Sequence, residues 1–365
     1  MDDCLLLVLI GRTHTRRARV MPGGTGPSAG GTPTSGPSAQ AGPDLQPAPA
    51  LAHDLSQAGS PAELAARLGP GLAIELAAWI KTALVNGRGR VLLAASDDVL
   101  GQRVARQLTA LGIEHISRLV PSGTPGLSGD VHAIPLVVGG GQDGPAGPLD
   151  AGHMGAGHMG AGHTGAGHVG AGAVGADRLL AALGASARLG QAVAVVDAGA
   201  LVTIDLCDRH GVLAGSALAP GLGAMLEATH NAAARSLGTQ VPLVARPPAA
   251  AALPTGNMSL DVADAAVLGA VHALRGFVRY QVELMAEASG LYPRVLATGP
   301  DAALLLEHDE LIEHVVPDLG LIGMLEAWRR LNTDDDLAAS NLSPEELEDE
   351  LDTRLGAGLT EDDDA

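Results

Sequence analysis

The run Val193–Asp205, VAVVDAGALVTID, decides how the rest of the chain is read. Its small and β-branched apolar residues describe a buried strand of an α/β sheet. The strand ends in a carboxylate, Asp197; Gly199 follows, and a second apolar run closes at Asp205. An acid at the lip of a tight turn has two readings. Turn amides alone satisfy a strand-end Asp. The same Asp can hold a cation beside a phosphate, where a turn without Cβ lets backbone N–H groups come close.

Outward from this turn the strands alternate with helices. ADRLLAALGASARLG precedes it as an amphipathic helix, and HGVLAGSALAPGLGAMLEATHNAAARSLG follows as strand, loop and helix. A long helix over SLDVADAAVLGAVHALRGFVRYQVELMAEASG is expected to bend at Gly269 or Gly276. YPRVLATGPDAALLLEH gives strand, Gly-Pro turn and helix, and LGLIGMLEAWRRL a last helix. In the first half, Pro61 opens a helix, RVLLAAS and IEHISRLVP are strands, and DDVLGQRVARQLTALG is the helix between them. Both halves are therefore α/β.

Two low-complexity stretches interrupt this pattern. Residues 21–50 are dominated by Gly, Pro, Ser, Thr and Ala and read as a flexible insertion. Residues 150–174 carry a pentapeptide repeat with His153, His158, His163 and His168. A five-residue period fits neither helix nor strand, and within the repeat units no carboxylate or Cys interleaves the imidazoles. A neutral insertion is the favoured reading over a site for Zn, Ni or Cu. The acidic segment from residue 332, with its DDD, EELEDELD and EDDD runs, reads as a solvated, disordered tail.

Composition removes several function classes. The 365 residues are 46% hydrophobic but only 1% aromatic, so stacking platforms for single-stranded nucleic acid are effectively absent. A formal charge of −19 repels phosphate backbones and anionic membranes. The one basic cluster, Arg12, Arg16, Arg17 and Arg19, reads as solvated arginines beside a strand rather than a nucleic-acid arm. The opening apolar run has an acidic flank and no small-residue cleavage site, so a signal peptide is not expected, nor is a membrane span. Cys4 and Cys207, both in or beside apolar runs, read as free thiols of a reducing, cytoplasmic protein.

An internal echo then appears. VLIGRTHT, Val8–Thr15, and VDAGALVT, Val196–Thr203, are each a strand that breaks at a glycine with a Thr after it. Two such units, one opening each half, suggest two duplicated domains facing a cleft. With GADRLLAALGA at 175–185, VVDAGALVTID at 195–205, APGLGAM at 219–225, RGFVRYQVEL at 275–284, ATGPDAALL at 297–305 and VVPDLGLIGML at 315–325, the chain resembles the type III pantothenate kinases. Order and spacing agree from Gly175 to about Trp328. The resemblance implies two ribonuclease-H-like, actin-like ATPase domains, over 1–149 and 175–331. It also implies a cytoplasmic homodimer that phosphorylates pantothenate with ATP, the first step of coenzyme A biosynthesis.

By this resemblance Asp177 is the catalytic base, and Gly175, Ala176, Asp177 and Arg178 bind substrate, with Arg178 on its carboxylate. Asp177 also suits a helix N-terminus for electrostatic reasons alone; within the GADR motif the functional reading is preferred. Gly11, Arg12, Thr13, Gly199 and Ala200 occupy nucleotide-binding positions, and Asp197 that of the ligand to a monovalent cation, K⁺ or NH₄⁺, with Mg²⁺ accompanying ATP. Departures are pointed. Leu9 and Arg12 stand where the family has Asp and Asn, Ala200 where it has a Thr whose hydroxyl contacts ATP, and Val262 where it has a pantothenate-binding Thr. Each lost contact to a charged group is worth about 1.5–3 kcal/mol, so a catalytically degenerate binding or regulatory protein is the competing expectation.

Overall fold

A computed structural model describes residues 4–11, 14–21, 44–52, 61–84, 89–122, 124, 130–136, 174–237, 253–254 and 256–339. Arg12, Thr13 and the histidine repeat lie outside the described residues, as do most of the Gly/Pro-rich stretch and the chain from residue 340.

The first half contains β1 (Cys4–Ile10), β2 (His14–Met21), β3 (Asp44–Ala52), α1 (Pro61–Ala83), β4 (Gly89–Ala95), α2 (Asp98–Ala110), β5 (Ile116–Val120) and β6 (Val131–Ala133). The sheet order is β3-β2-β1-β4-β5-β6. β1, β2 and β3 form an antiparallel meander, and β4, β5 and β6 continue from β1 in parallel. In the second half come α3 (Ala176–Leu189), β7 (Val193–Ala198), β8 (Leu201–Cys207), β9 (Leu213–Pro220), α4 (Leu222–Leu237), α5 (Val262–Ser289), β10 (Arg294–Thr298), α6 (Ala302–Leu306), β11 (His314–Val315) and α7 (Leu319–Ala339). Its sheet runs β11-β10-β7-β8-β9, again a three-strand meander followed by two parallel strands on the far side of the first. The two sheets repeat one connectivity, and the protein is a pair of duplicated α/β domains of the ribonuclease-H-like kind.

Not every element follows the sequence reading. Residues 44–52, expected as part of the flexible insertion, form β3. This strand carries Pro47 and Pro49, which an edge strand tolerates because its outer side needs no donor. The long helix expected in the second half is α5, one unbroken element from Val262 to Ser289, with the Asp261 side chain accepting from the Asp264 N–H at its start. α7 continues to Ala339, into the segment read as tail.

Alternation along the central strands sorts the core into layers. From β1, Leu6, Val8 and Ile10 pack with α1 and α2, while Leu7 and Leu9 face the opposite way. From β7, Ala194, Val196 and Ala198 pack with α4, α5 and α6; Val193 and Val195 face α3 and α7. α3 and α7 thus form a middle layer shared by both sheets, giving five layers in all. Two helices fit there because glycines bring their backbones together. A Cβ on Gly323 would lie 1.8 Å from the Leu180 carbonyl oxygen, and one on Gly184 2.8 Å from the Gly323 nitrogen.

Candidate active-site cleft

A cleft of about 410 Å³ opens between the two sheets. It lies at the C-terminal ends of parallel strands, where open α/β sheets place their ligands. The first half contributes Leu9, Gly11, Arg16 and Ser96; the second contributes Gly175–Arg178, Asp197, Gly199, Ala200, Thr203 and Gly299. Every second-half residue expected at the site, Val262 excepted, therefore lines this cavity. From the first half Gly11 is there, its N–H bonded to the His14 carbonyl at 2.8 Å. Val262 is absent from this wall; it sits exposed in the first turn of α5.

The acidic centre is built by three elements. Asp177, in the first turn of α3, accepts the Arg178 backbone N–H at 3.0 Å. Asp197 is the penultimate residue of β7, and Asp205, buried in β8, is on the same face because Asp197 pairs with Thr203 two residues away. Burial pushes the Asp177 pKa above the usual carboxylate range, against the pull of the Arg178 N–H and charge. Burial, then Asp177 and Asp205, raise Asp197 to about 7, while Arg16 and Arg178 oppose the shift. Asp197 is also tightly enclosed. Gly299, at φ +96°, follows β10, and a Cβ there would come 2.3 Å from Asp197 Oδ1, so only glycine fits.

A pH dependence follows from Asp197. Its native pKa lies above the unfolded value of 3.8, so the native state holds the proton more tightly. Stability from this group is present at low pH and is lost as pH rises towards 7. Asp197→Asn is expected to raise Tm at pH 8 and to flatten the fall in Tm between pH 4 and 7. Thermal melts of both proteins across that range check this.

The largest surprise is Arg178. Its guanidinium is held side-on by Asp205, Nε to Oδ2 at 2.9 Å and Nη2 to Oδ1 at 2.5 Å, and Ser216 Oγ donates to Oδ1 at 2.5 Å. Sequence reasoning named Arg178 but not this pair. The available signal was an acid inside an apolar strand, two residues from Thr203. Thr203 was also missed: its hydroxyl is buried at the cleft with no hydrogen-bond partner among the described residues. So was Arg16, whose Nη1 bonds Asp318 at 3.0 Å and ties β2 to the start of α7.

Leu9 is a core residue as well as a cleft residue. It is 6% exposed, packs in the middle layer and presses on Gly320 of α7. Ala200, in the turn after Asp197, is exposed; its carbonyl accepts the Gly221 N–H at 3.0 Å, so the APGLG loop braces the turn from behind. Among the described residues, no three His, Cys, Asp or Glu side chains converge as a metal-ligand set, and no helix is long and apolar enough to cross a membrane. Cys4 and Cys207 are both free and buried, and burial pushes the Cys207 thiol up to about 12.

Residues 170–283 match the family described as type III pantothenate kinase. A type III pantothenate kinase of Akkermansia muciniphila is 34% identical over 151 residues, 40% of this chain and 57% of the relative. One from Rhodospirillum rubrum is 35% identical over 161 residues, 43% of this chain and 58% of the relative. The chain thus spans a little over half the length of these curated relatives. A Baf family transcriptional activator from Campylobacter jejuni, of known structure, overlays with a TM-score of 0.43 at 11% identity, over 90% of this chain and 99% of that one. Over residues 170–283, which carry the GADR helix start and the Asp197 turn, the chain is similar to the type III pantothenate kinases.

Proposed function

We propose that the cleft binds ATP and pantothenate and transfers the γ-phosphoryl group to the pantothenate hydroxyl, at a rate held down by Leu9 and Ala200. The observation that carries this reading is the convergence of Asp177, Arg178 and Asp197 on one wall of a two-domain cleft. Phosphoryl transfer asks a protein mainly to align the nucleophile and neutralise charge. Asp177, at the start of α3 on the cleft, is placed to take the hydroxyl proton. The N-terminus of α3, with Gly175 and Ala176 on the cleft, places the positive end of the helix dipole towards anionic substrate.

The cations the family uses fit unequally. Asp197 is a carboxylate whose pKa is raised by burial and then by its acidic neighbours, and it is a donor suited to a monovalent cation, K⁺ or NH₄⁺, beside phosphate. A Mg²⁺ ion finds no ligand at position 9, where a buried leucine stands, so it would enter only on the nucleotide. The same leucine favours a second reading, ligand binding without turnover, as a regulatory relative. Homodimerisation has support in α5, where Val262, Tyr280 and Leu284 are exposed on one helical face.

An assay with ATP, pantothenate, Mg²⁺ and K⁺ decides between these readings: phosphopantothenate supports the first, and binding of both ligands without product supports the second. Leu9→Asp sharpens the comparison. Position 9 pairs with Arg16 across β1 and β2, which offers the new acid a cation. Its expected effect is about a ten-fold rise in kcat/KM for ATP, roughly 1.4 kcal/mol of transition-state stabilisation, at reduced thermal stability. Unchanged kinetics would place the deficit elsewhere than at Leu9.

A further inference from the structure

We infer that Asp205, clamped by Ser216, is a positioning residue that holds Arg178 away from Asp177 and Asp197 and turns its free edge to the carboxylate of the substrate. The inference rests on the proposed reading of this cleft and adds a determinant to it.

The geometry is specific. A guanidinium has two edges that receive a carboxylate with paired hydrogen bonds. Asp205 occupies the Nε–Nη2 edge of Arg178, which leaves the Nη1–Nη2 edge, and Arg178 lines the cleft. Asp205 itself is fixed from its far side. It pairs with Val195 across β7 and with Ser216 across β9, and Ser216 Oγ completes its hydrogen bonding. With only 2% exposure of its side chain, Asp205 has no solvent route away from this arrangement.

Stability alone does not account for such a pair. The desolvation of a buried ion pair cancels most of its attraction, and apolar residues of similar volume often serve as well. The surrounding layer is apolar, with Val195 beside Asp205 and Leu179, Ala181 and Ala182 on α3. The acid earns its place through what Arg178 would otherwise do. Asp177 and Asp197 both feel the Arg178 charge. A released Arg178 would turn towards its sequence neighbour Asp177 and withdraw its edge from the cleft, which leaves the substrate carboxylate without its partner. Asp205 supplies a third acid that satisfies Arg178 without consuming either.

Calorimetry with pantothenate and, separately, with ATP tests this on the full chain and on Asp205→Asn, Ser216→Ala, Arg178→Ala and the double variant Arg178→Ala/Asp205→Asn. Asp205→Asn is expected to weaken pantothenate about ten-fold or more and Ser216→Ala about three-fold, with ATP affinity changed less than about two-fold. Because Asp205 acts through Arg178, adding Asp205→Asn to Arg178→Ala is expected to change pantothenate affinity by less than about two-fold. Equal loss of both ligands, unchanged pantothenate binding in Asp205→Asn, or a full effect in the Arg178→Ala background would each overturn the inference. If Asp205→Asn does not fold, Ser216→Ala, which removes one hydrogen bond and no charge, carries the same comparison. A wild-type chain that binds no pantothenate removes the functional reading and the clamp's role with it; binding that Asp205→Asn leaves intact removes the clamp alone.

Discussion

Asp177→Asn is expected to lower phosphoryl transfer to pantothenate by about 10²- to 10⁴-fold, the range a positioned general base contributes. The substitution is nearly isosteric and leaves an acceptor for the Arg178 N–H, so the first turn of α3 keeps its local hydrogen bond. Fold stability should rise slightly, since a carboxyl whose charged form is disfavoured by burial is replaced by a neutral amide. The two effects have opposite signs, which separates loss of the base from loss of structure. Single-turnover assays with melting curves on the same samples check the prediction; an Asp177→Asn protein as active as wild type would leave the cleft without its base.

Gly323→Ala is the second large expected effect, and it is on stability. Alanine in a helix interior is intrinsically favoured over glycine by about 1 kcal/mol. Here a Cβ would lie 1.8 Å from the Leu180 carbonyl oxygen, on the backbone of a facing helix that no side-chain rotation relieves. α3 and α7 would have to separate, and both sheets pack on those helices. The overpacking loss is about 3 kcal/mol, towards the upper end for core insertions. The net loss of about 2 kcal/mol corresponds to a fall in Tm of roughly 4–8 °C. Because the N-terminus of α3 carries Asp177 and Arg178, ligand affinity should fall with it. Gly276→Ala, where the added methyl meets no neighbour, is the control and should be neutral or stabilising.

What was legible in the sequence follows from local rules. The central strands are continuous apolar runs because both faces of β1 and β7 are covered, and the helices show their periodicity because each has a buried stripe. β3 was illegible because its composition, DLQPAPALA, carries no alternation, and it is a strand only through pairing with β2. β6 and β11, of three and two residues, are too short for any period to register.

The sequence by itself determined the duplicated α/β domains, the GADR helix start, the Asp197 turn and the departures at positions 9, 200 and 262, because each is a matter of residue type at a given spacing. Tertiary structure alone decided which charges meet. Asp205 is 27 residues from Arg178, and Arg16 is 302 from Asp318, distances over which no sequence period carries information. It likewise decided that Leu9 is a packing residue: its side chain faces α7 because β1 stands against the middle layer, where the cleft floor and the interdomain core are the same surface.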